Sequence, residues 1–114
     1  MRITHTDRII CHRLVEATSI VGRMRGMLKR DFSDFDAMLF RRNNSIHMFF
    51  MGMPLDIIFL DAEDQIISIR HSLKPWRMAI DLTASSVIEL PAGTVARTGL
   101  TPGAALDMTV DRIL

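Results

Sequence analysis

Apolar positions fall in short blocks along the chain, broken by polar or Gly/Pro punctuation. That rhythm suits a β domain with short connections. Residues 8–16 read as a strand whose apolar side is Ile9, Ile10, Leu14 and Val15. Thr18 or Ser19 then offers a helix N-cap. Ile20, Met24, Met27 and Leu28 follow at helical spacing, which predicts one short amphipathic helix over residues 19–29. Residues 31–36 form a polar loop anchored by Phe32 and Phe35. Residues 37–41 read as a short buried strand, 42–44 as a turn, and 45–50 as a second strand. Met51-Gly52-Met53-Pro54 breaks that strand, because Gly loosens the backbone and Pro removes a ladder donor.

Residues 55–61 carry the strongest strand signal. Leu55, Ile57 and Phe59 point one way, and Asp56, Ile58 and Leu60 the other. Both faces are apolar, so the strand belongs in the interior of a sheet. Ala62-Glu63-Asp64 turns the chain, and residues 65–71, rich in β-branched Ile66, Ile67 and Ile69, return as its antiparallel partner. Lys74-Pro75-Trp76 ends that strand, and residues 76–84 read as irregular. Residues 86–90 form another strand, stopped by Pro91-Ala92-Gly93. Thr94 is expected to cap a helical turn near 94–98 that Gly99 closes. Pro102-Gly103 has type II turn chemistry, and residues 105–110 supply a last strand. The prediction is a mainly β fold, α+β at the margin. It is a small barrel-like or folded antiparallel sheet of about seven strands, with one short helix and one helical turn. Residues 1–114 fit a single domain.

Composition narrows the function classes. Apolar residues make up 48% of the chain and charged residues 24%, enough for one core and unlike a disordered segment. The net charge of +1 sets up no field that would recruit nucleic acid. Residues 1–44 hold nine Lys/Arg against five Asp/Glu, and residues 45–114 hold five against eight. Ion pairing between the two parts is the plain consequence. The single Cys11 has no partner for an internal disulfide, which fits a reducing cytoplasm. No apolar stretch reaches membrane-span length, and residues 1–7 lack the apolar core of a secretion signal. The expectation is therefore a soluble, cytoplasmic domain.

Several separated segments carry a recognisable pattern. They are Arg23-Met24-Arg25-Gly26-Met27-Leu28-Lys29-Arg30, Ala37-Met38-Leu39-Phe40 and Ser45-Ile46-His47-Met48-Phe49-Phe50-Met51, then Pro54-Leu55-Asp56-Ile57-Ile58-Phe59-Leu60-Asp61 and Val87-Ile88-Glu89-Leu90-Pro91-Ala92-Gly93. In that order they resemble the bacterial and archaeal family catalogued as domain of unknown function 192, over residues 8–110. The resemblance implies a compact β-rich domain and no established reaction. The chain departs from the family's usual pattern at Gly26-Met27-Leu28, at Met48, and at Ala104 after Gly103.

The candidate chemistry centres on His47 and Asp56. A tight reversal at residues 51–54 would set them diagonally adjacent, with the carboxylate orienting one imidazole nitrogen. His47 would then act as a general base, and Glu89 or an arginine would complete the set. The plainer alternative is that Asp56 is a buried acid satisfied by nearby donors. Glu89 alternates with Ile88 and Leu90, and is either an inward acid paired with an arginine such as Arg30 or a half-exposed strand residue. His47 with Met51 and Met53 has the softness to hold Cu(I), although methionine is also a common gap-filler in cores. Arg23, Arg25 and Arg30 could receive a phosphate or carboxylate, or simply form a solvated face. That basic region lacks interleaved aromatics, so nucleic acid is not the expected partner. No zinc, Walker or nucleophile-elbow motif occurs.

The reading these residues support is a cofactor-free binding or accessory domain. It would hold a small anionic molecule or a peptide near the His47/Asp56 loop and residues 23–30. A small hydrolase or isomerase with His47 as general base is the alternative, and Cu(I) binding the weaker one. Oligomeric state is left open.

Overall fold

The computed structural model describes residues 3–5, 8–11, 14–16, 37–48, 53–108 and 112–113. The helix expected at 19–29 and the loop at 31–36 lie outside them, as does residue 51.

The apolar run that dominates the sequence forms β6 (Leu55–Leu60), buried along its whole length. Both of its edges are paired and both of its faces are covered. On one side runs β9 (Ser86–Pro91), antiparallel, with Asp56 opposite Leu90 and Ile57 opposite Glu89. On the other runs β7 (Ile66–Leu73), also antiparallel, which confirms the expected return strand. β9 in turn pairs with β4 (Ala37–Arg41). Beyond β4 lie β3 (Leu14–Glu16) and β11 (Arg112–Ile113), both joined in parallel. The sheet order is therefore β11-β3-β4-β9-β6-β7.

The mainly β expectation holds, but two refinements follow. The sheet is mixed and not purely antiparallel. A parallel neighbour needs a crossover of a dozen or more residues, and residues 17–36 supply that length between β3 and β4. Among the described residues the sheet is also open, ending on β11 and β7, and so is not a closed barrel.

Each face of the sheet has its own core. Leu39, Ile58, Leu60, Ile88 and Leu90 share the first with Val95, Leu100 and Leu106. Met38, Phe40, Leu55, Ile57, Phe59 and Val87 form the second, closed by Ile46, Met48 and Ala79. Fully burying one such side chain stabilises the fold by roughly 1.5–3 kcal/mol. The lid of the second core is a two-stranded antiparallel ribbon of β5 (Ser45–His47) and β8 (Met78–Ile80). β5 therefore pairs with β8 and not with β6, and residues 76–84 contain a strand where none was expected. A third sheet joins β10 (Asp107–Met108), β1 (Ile3–His5) and β2 (Arg8–Cys11).

The turn chemistry is partly as read. Gly103 has φ 94°, and the Ala104 amide donates to the Thr101 carbonyl at 3.2 Å, as a type II turn at Pro102-Gly103 requires. The short helix α1 (Thr94–Thr98) ends on left-handed Gly99, as predicted. Its N-cap is Gly93 at φ 93°, however, and not Thr94. The chain leaves β9 through a left-handed residue, which glycine adopts freely. Thr94 instead donates its hydroxyl back to the Pro91 carbonyl at 2.7 Å. Among the described residues no helix is long and apolar enough to cross a membrane.

Candidate functional site

Asp56 is completely buried on β6. Its Oδ1 accepts the Ser72 amide at 2.9 Å, and its Oδ2 accepts the Val95 amide at 2.9 Å. Both donors follow from local backbone events. The β6–β7 register slips between Leu55 opposite Leu73 and Ile57 opposite Arg70, so His71 and Ser72 both oppose Asp56. This is a β-bulge, with Ser72 at φ 50°. Val95 lies in the first turn of α1, whose glycine N-cap has no side chain to accept an amide. The carboxylate supplies that missing cap from another strand. Charge-assisted bonds and the positive end of a helix offset the desolvation of a buried acid.

Glu89 is also buried, but elsewhere. Asp56 opposes Leu90, a member of the first core, while Glu89 opposes Ile57 and Met38, members of the second. Successive residues on a strand alternate in direction. The two acids therefore leave the sheet on opposite faces and do not form one polar centre.

His47 lies on β5 opposite Met78, and its main chain alone is described. The flanking Ile46 and Met48 are buried in the second core. β5 thus covers the face that carries Glu89, across the sheet from the Asp56 carboxylate. Among the described residues β5 pairs with β8, and β6 with β7 and β9, so no ladder sets His47 diagonal to Asp56. Met48 is wholly buried and the partly buried Met53 packs against the second core. Arg23, Arg25, Arg30 and Met51 lie outside the described residues. Among the described residues no three His, Cys, Asp or Glu side chains gather as metal ligands.

The described cations are partly committed. Arg41 Nη1 and Nη2 reach Asp64 Oδ1 and Oδ2 at 2.6 and 3.3 Å, one instance of the expected pairing between the two parts of the chain. Hydrogen bonding to Asp64 raises the Arg41 pKa. Arg70 stacks 5.3 Å above the Phe59 ring and donates to the Ile80 carbonyl at 3.3 Å. Asp81 accepts from the Ser68 hydroxyl at 2.6 Å and from the Thr83 amide and hydroxyl at 3.0 and 2.6 Å. These bonds, Ser68's first, hold its carboxyl below the ordinary value.

Sequence reasoning missed one surface. Ala79 of β8 faces the core, and the large residues around it face out: Trp76, Met78, Ile80 and Leu82 are 60, 66, 55 and 78% exposed. They recur at every second position. The exposed Lys74 and Arg77 stand at the Trp76 end of this row. The signal was present in the spacing itself, but the pattern is inverted, with the small residue inside and the large ones outside.

A family model described as Uncharacterized ACR matches residues 2–108. An uncharacterised protein of Thermococcus sibiricus, UPF0127, is 35% identical over 72 residues, covering 62% of this chain and 46% of that protein. A UPF0127 protein of Pyrococcus abyssi is 43% identical over 54 residues, covering 46% of this chain and 45% of that one. The match thus spans less than half the length of either relative. Two solved structures share the fold. A protein of unknown function from Novosphingobium aromaticivorans has a TM-score of 0.76 at 25% identity, over 94% of this chain and 82% of that one. A proposed transcription regulator from Sinorhizobium meliloti has a TM-score of 0.75 at 27% identity, over 93% and 89%.

Proposed function

We propose that this chain, which belongs to the family catalogued as domain of unknown function 192, is a binding or accessory module for an anionic ligand or a partner's peptide, and not a hydrolase or isomerase. One observation carries the reading. Both Asp56 oxygens are committed to main-chain amides, on the opposite side of the sheet from β5. The alternative of a general base at His47 relies on Asp56 to orient its imidazole. The acid best placed in sequence to serve is instead holding a bulge and a helix together. Exposed Lys74 and Arg77 support the anionic preference, as do Arg23, Arg25 and Arg30 from the sequence. The setting we favour is the cytoplasm, supported by a lone thiol at Cys11.

Thermal unfolding of the purified protein tests this reading. The panel holds acidic peptides, small carboxylates and phosphates, beside generic ester, phosphate-ester and peptide substrates. A ligand at about 100 times its Kd adds about 2.7 kcal/mol, a shift on the order of 10 °C for a domain of this size. The expected result is saturable stabilisation by anionic members with no turnover. Turnover of any substrate that is lost in His47→Ala overturns the reading.

A further inference from the structure

We infer that the outer face of the β5–β8 ribbon docks an extended acidic segment of another protein, with Trp76, Met78, Ile80 and Leu82 as its contact row. The inference rests on the binding reading above and adds a surface and a partner chemistry.

The row is built at a conformational cost. Lys74-Pro75-Trp76-Arg77 forms a turn in which the Arg77 amide donates to the Lys74 carbonyl at 3.2 Å. Pro75 takes the position proline favours in a type II turn, and Trp76, at φ 68°, takes the left-handed position that ordinarily goes to Gly or Asn. A bulky residue is rare there. The Trp76 amide donates to the Met48 carbonyl at 2.8 Å, which fixes the corner to the ribbon. The outcome is a large aromatic ring held out at the head of an apolar row. Strained backbone of this kind gathers at functional sites.

The row's shape and charge indicate its occupant. Met78 and Ile80 alternate outward along β8, with Trp76 and Leu82 in the turns at its two ends, and this row is matched by an extended segment with apolar residues in the same rhythm. The exposed cations at its head are Lys74 and Arg77. Towards the Ile80–Leu82 end, Arg70 and the ionised Asp81 carry opposite charges close enough to interact and so offset each other, which leaves the Trp76 end as the positive one. A complementary segment therefore carries Asp or Glu where it passes the Trp76 end. A second copy of this chain fits less well. Four part-exposed side chains offer on the order of 500 Å², short of the roughly 800 Å² per partner of a stable dimer. Anionic membranes are typically held by clusters of about four to eight cations, against two here.

Trp76 is the chain's single tryptophan, so its fluorescence reports on this face alone. The probes are a synthetic peptide of about ten residues with alternating Val or Leu and two Glu at one end, its Lys-for-Glu counterpart, and vesicles of phosphatidylcholine with phosphatidylserine. The acidic peptide is expected to blue-shift the emission saturably, and the basic one to bind at least tenfold more weakly. Met78→Asp and Ile80→Asp, at exposed positions, are expected to weaken binding at least tenfold with unchanged thermal midpoints. Lys74→Glu is expected to weaken it several-fold, and added salt to do the same. No spectral change with either peptide overturns the inference. So does a shift produced by vesicles alone, or one that grows with protein concentration alone. A ligand from the thermal panel that binds without moving Trp76 emission overturns this inference and leaves the binding reading standing.

Discussion

Asp56 Oδ2 accepts the Val95 amide at 2.9 Å, joining the interior strand β6 to the first turn of a helix 39 residues further along the chain. The other oxygen holds the Ser72 bulge. Asp56→Ala removes both acceptors and leaves the buried Val95 amide and the part-buried Ser72 amide without their partner. The expected loss is about 2–4 kcal/mol in urea unfolding, from two hydrogen bonds to a carboxylate and one buried amide left unpaired. Asp56→Asn keeps the shape and one acceptor, and is expected to lose less. Equal stability of Asp56→Ala and wild type would contradict the assigned role.

How much of this was legible beforehand depends on the range of the interaction. That residue 56 is an acid inside an apolar strand, and so must find donors, was readable from Leu55-Asp56-Ile57-Ile58. The donors were not. They are main-chain amides 16 and 39 residues away, and an amide carries no side-chain signature. The β6–β7 pair was readable because Ala62-Glu63-Asp64 makes it local. The parallel β3–β4 contact was not, because both strands are short and their pairing spans residues 17–36. β8 was missed because Ala79 faces in while Met78 and Ile80 face out, the reverse of the usual strand pattern. Glu89 and Asp56 were grouped by type, and only the register with Ile57 and Leu90 shows that they part to opposite faces.

The Arg41–Asp64 pair is two-pronged but partly exposed. Solvent screening keeps such pairs small. A double-mutant cycle with Arg41→Ala and Asp64→Ala is expected to give a coupling of roughly 0.5–1 kcal/mol that shrinks in high salt. A coupling that salt leaves untouched would mean the pair is better shielded than its exposure indicates.

Asp81 gives a pH signature. Its folded pKa lies below the ordinary 3.8, because Ser68 and Thr83 bond the ionised form. The associated stability is therefore present above the unfolded value and is lost as pH falls through the folded one. Thermal midpoints of wild type and Asp81→Asn should differ by a constant amount above about pH 5 and converge at lower pH. Ser68→Ala should reduce the gap. A gap that widens on acidification would reverse the assigned direction.

The left-handed turn at Trp76 separates strain from packing. At an ordinary exposed position glycine is the less stable choice, since it has more conformational freedom to lose on folding. At φ 68° the order inverts, because any residue with a Cβ meets its own carbonyl there, at roughly 1–2 kcal/mol. Trp76→Ala keeps that burden and loses whatever packing the ring supplies. Trp76→Gly loses the same packing but sheds the strain. The glycine variant should therefore unfold at higher temperature than the alanine variant, by a few degrees for a chain of this size. Both should lose the peptide-docking response when it is read by calorimetry, since neither retains the ring. Alanine equal to or above glycine would show that the turn relaxes without effort, and would remove the strain argument for a docking role at Trp76.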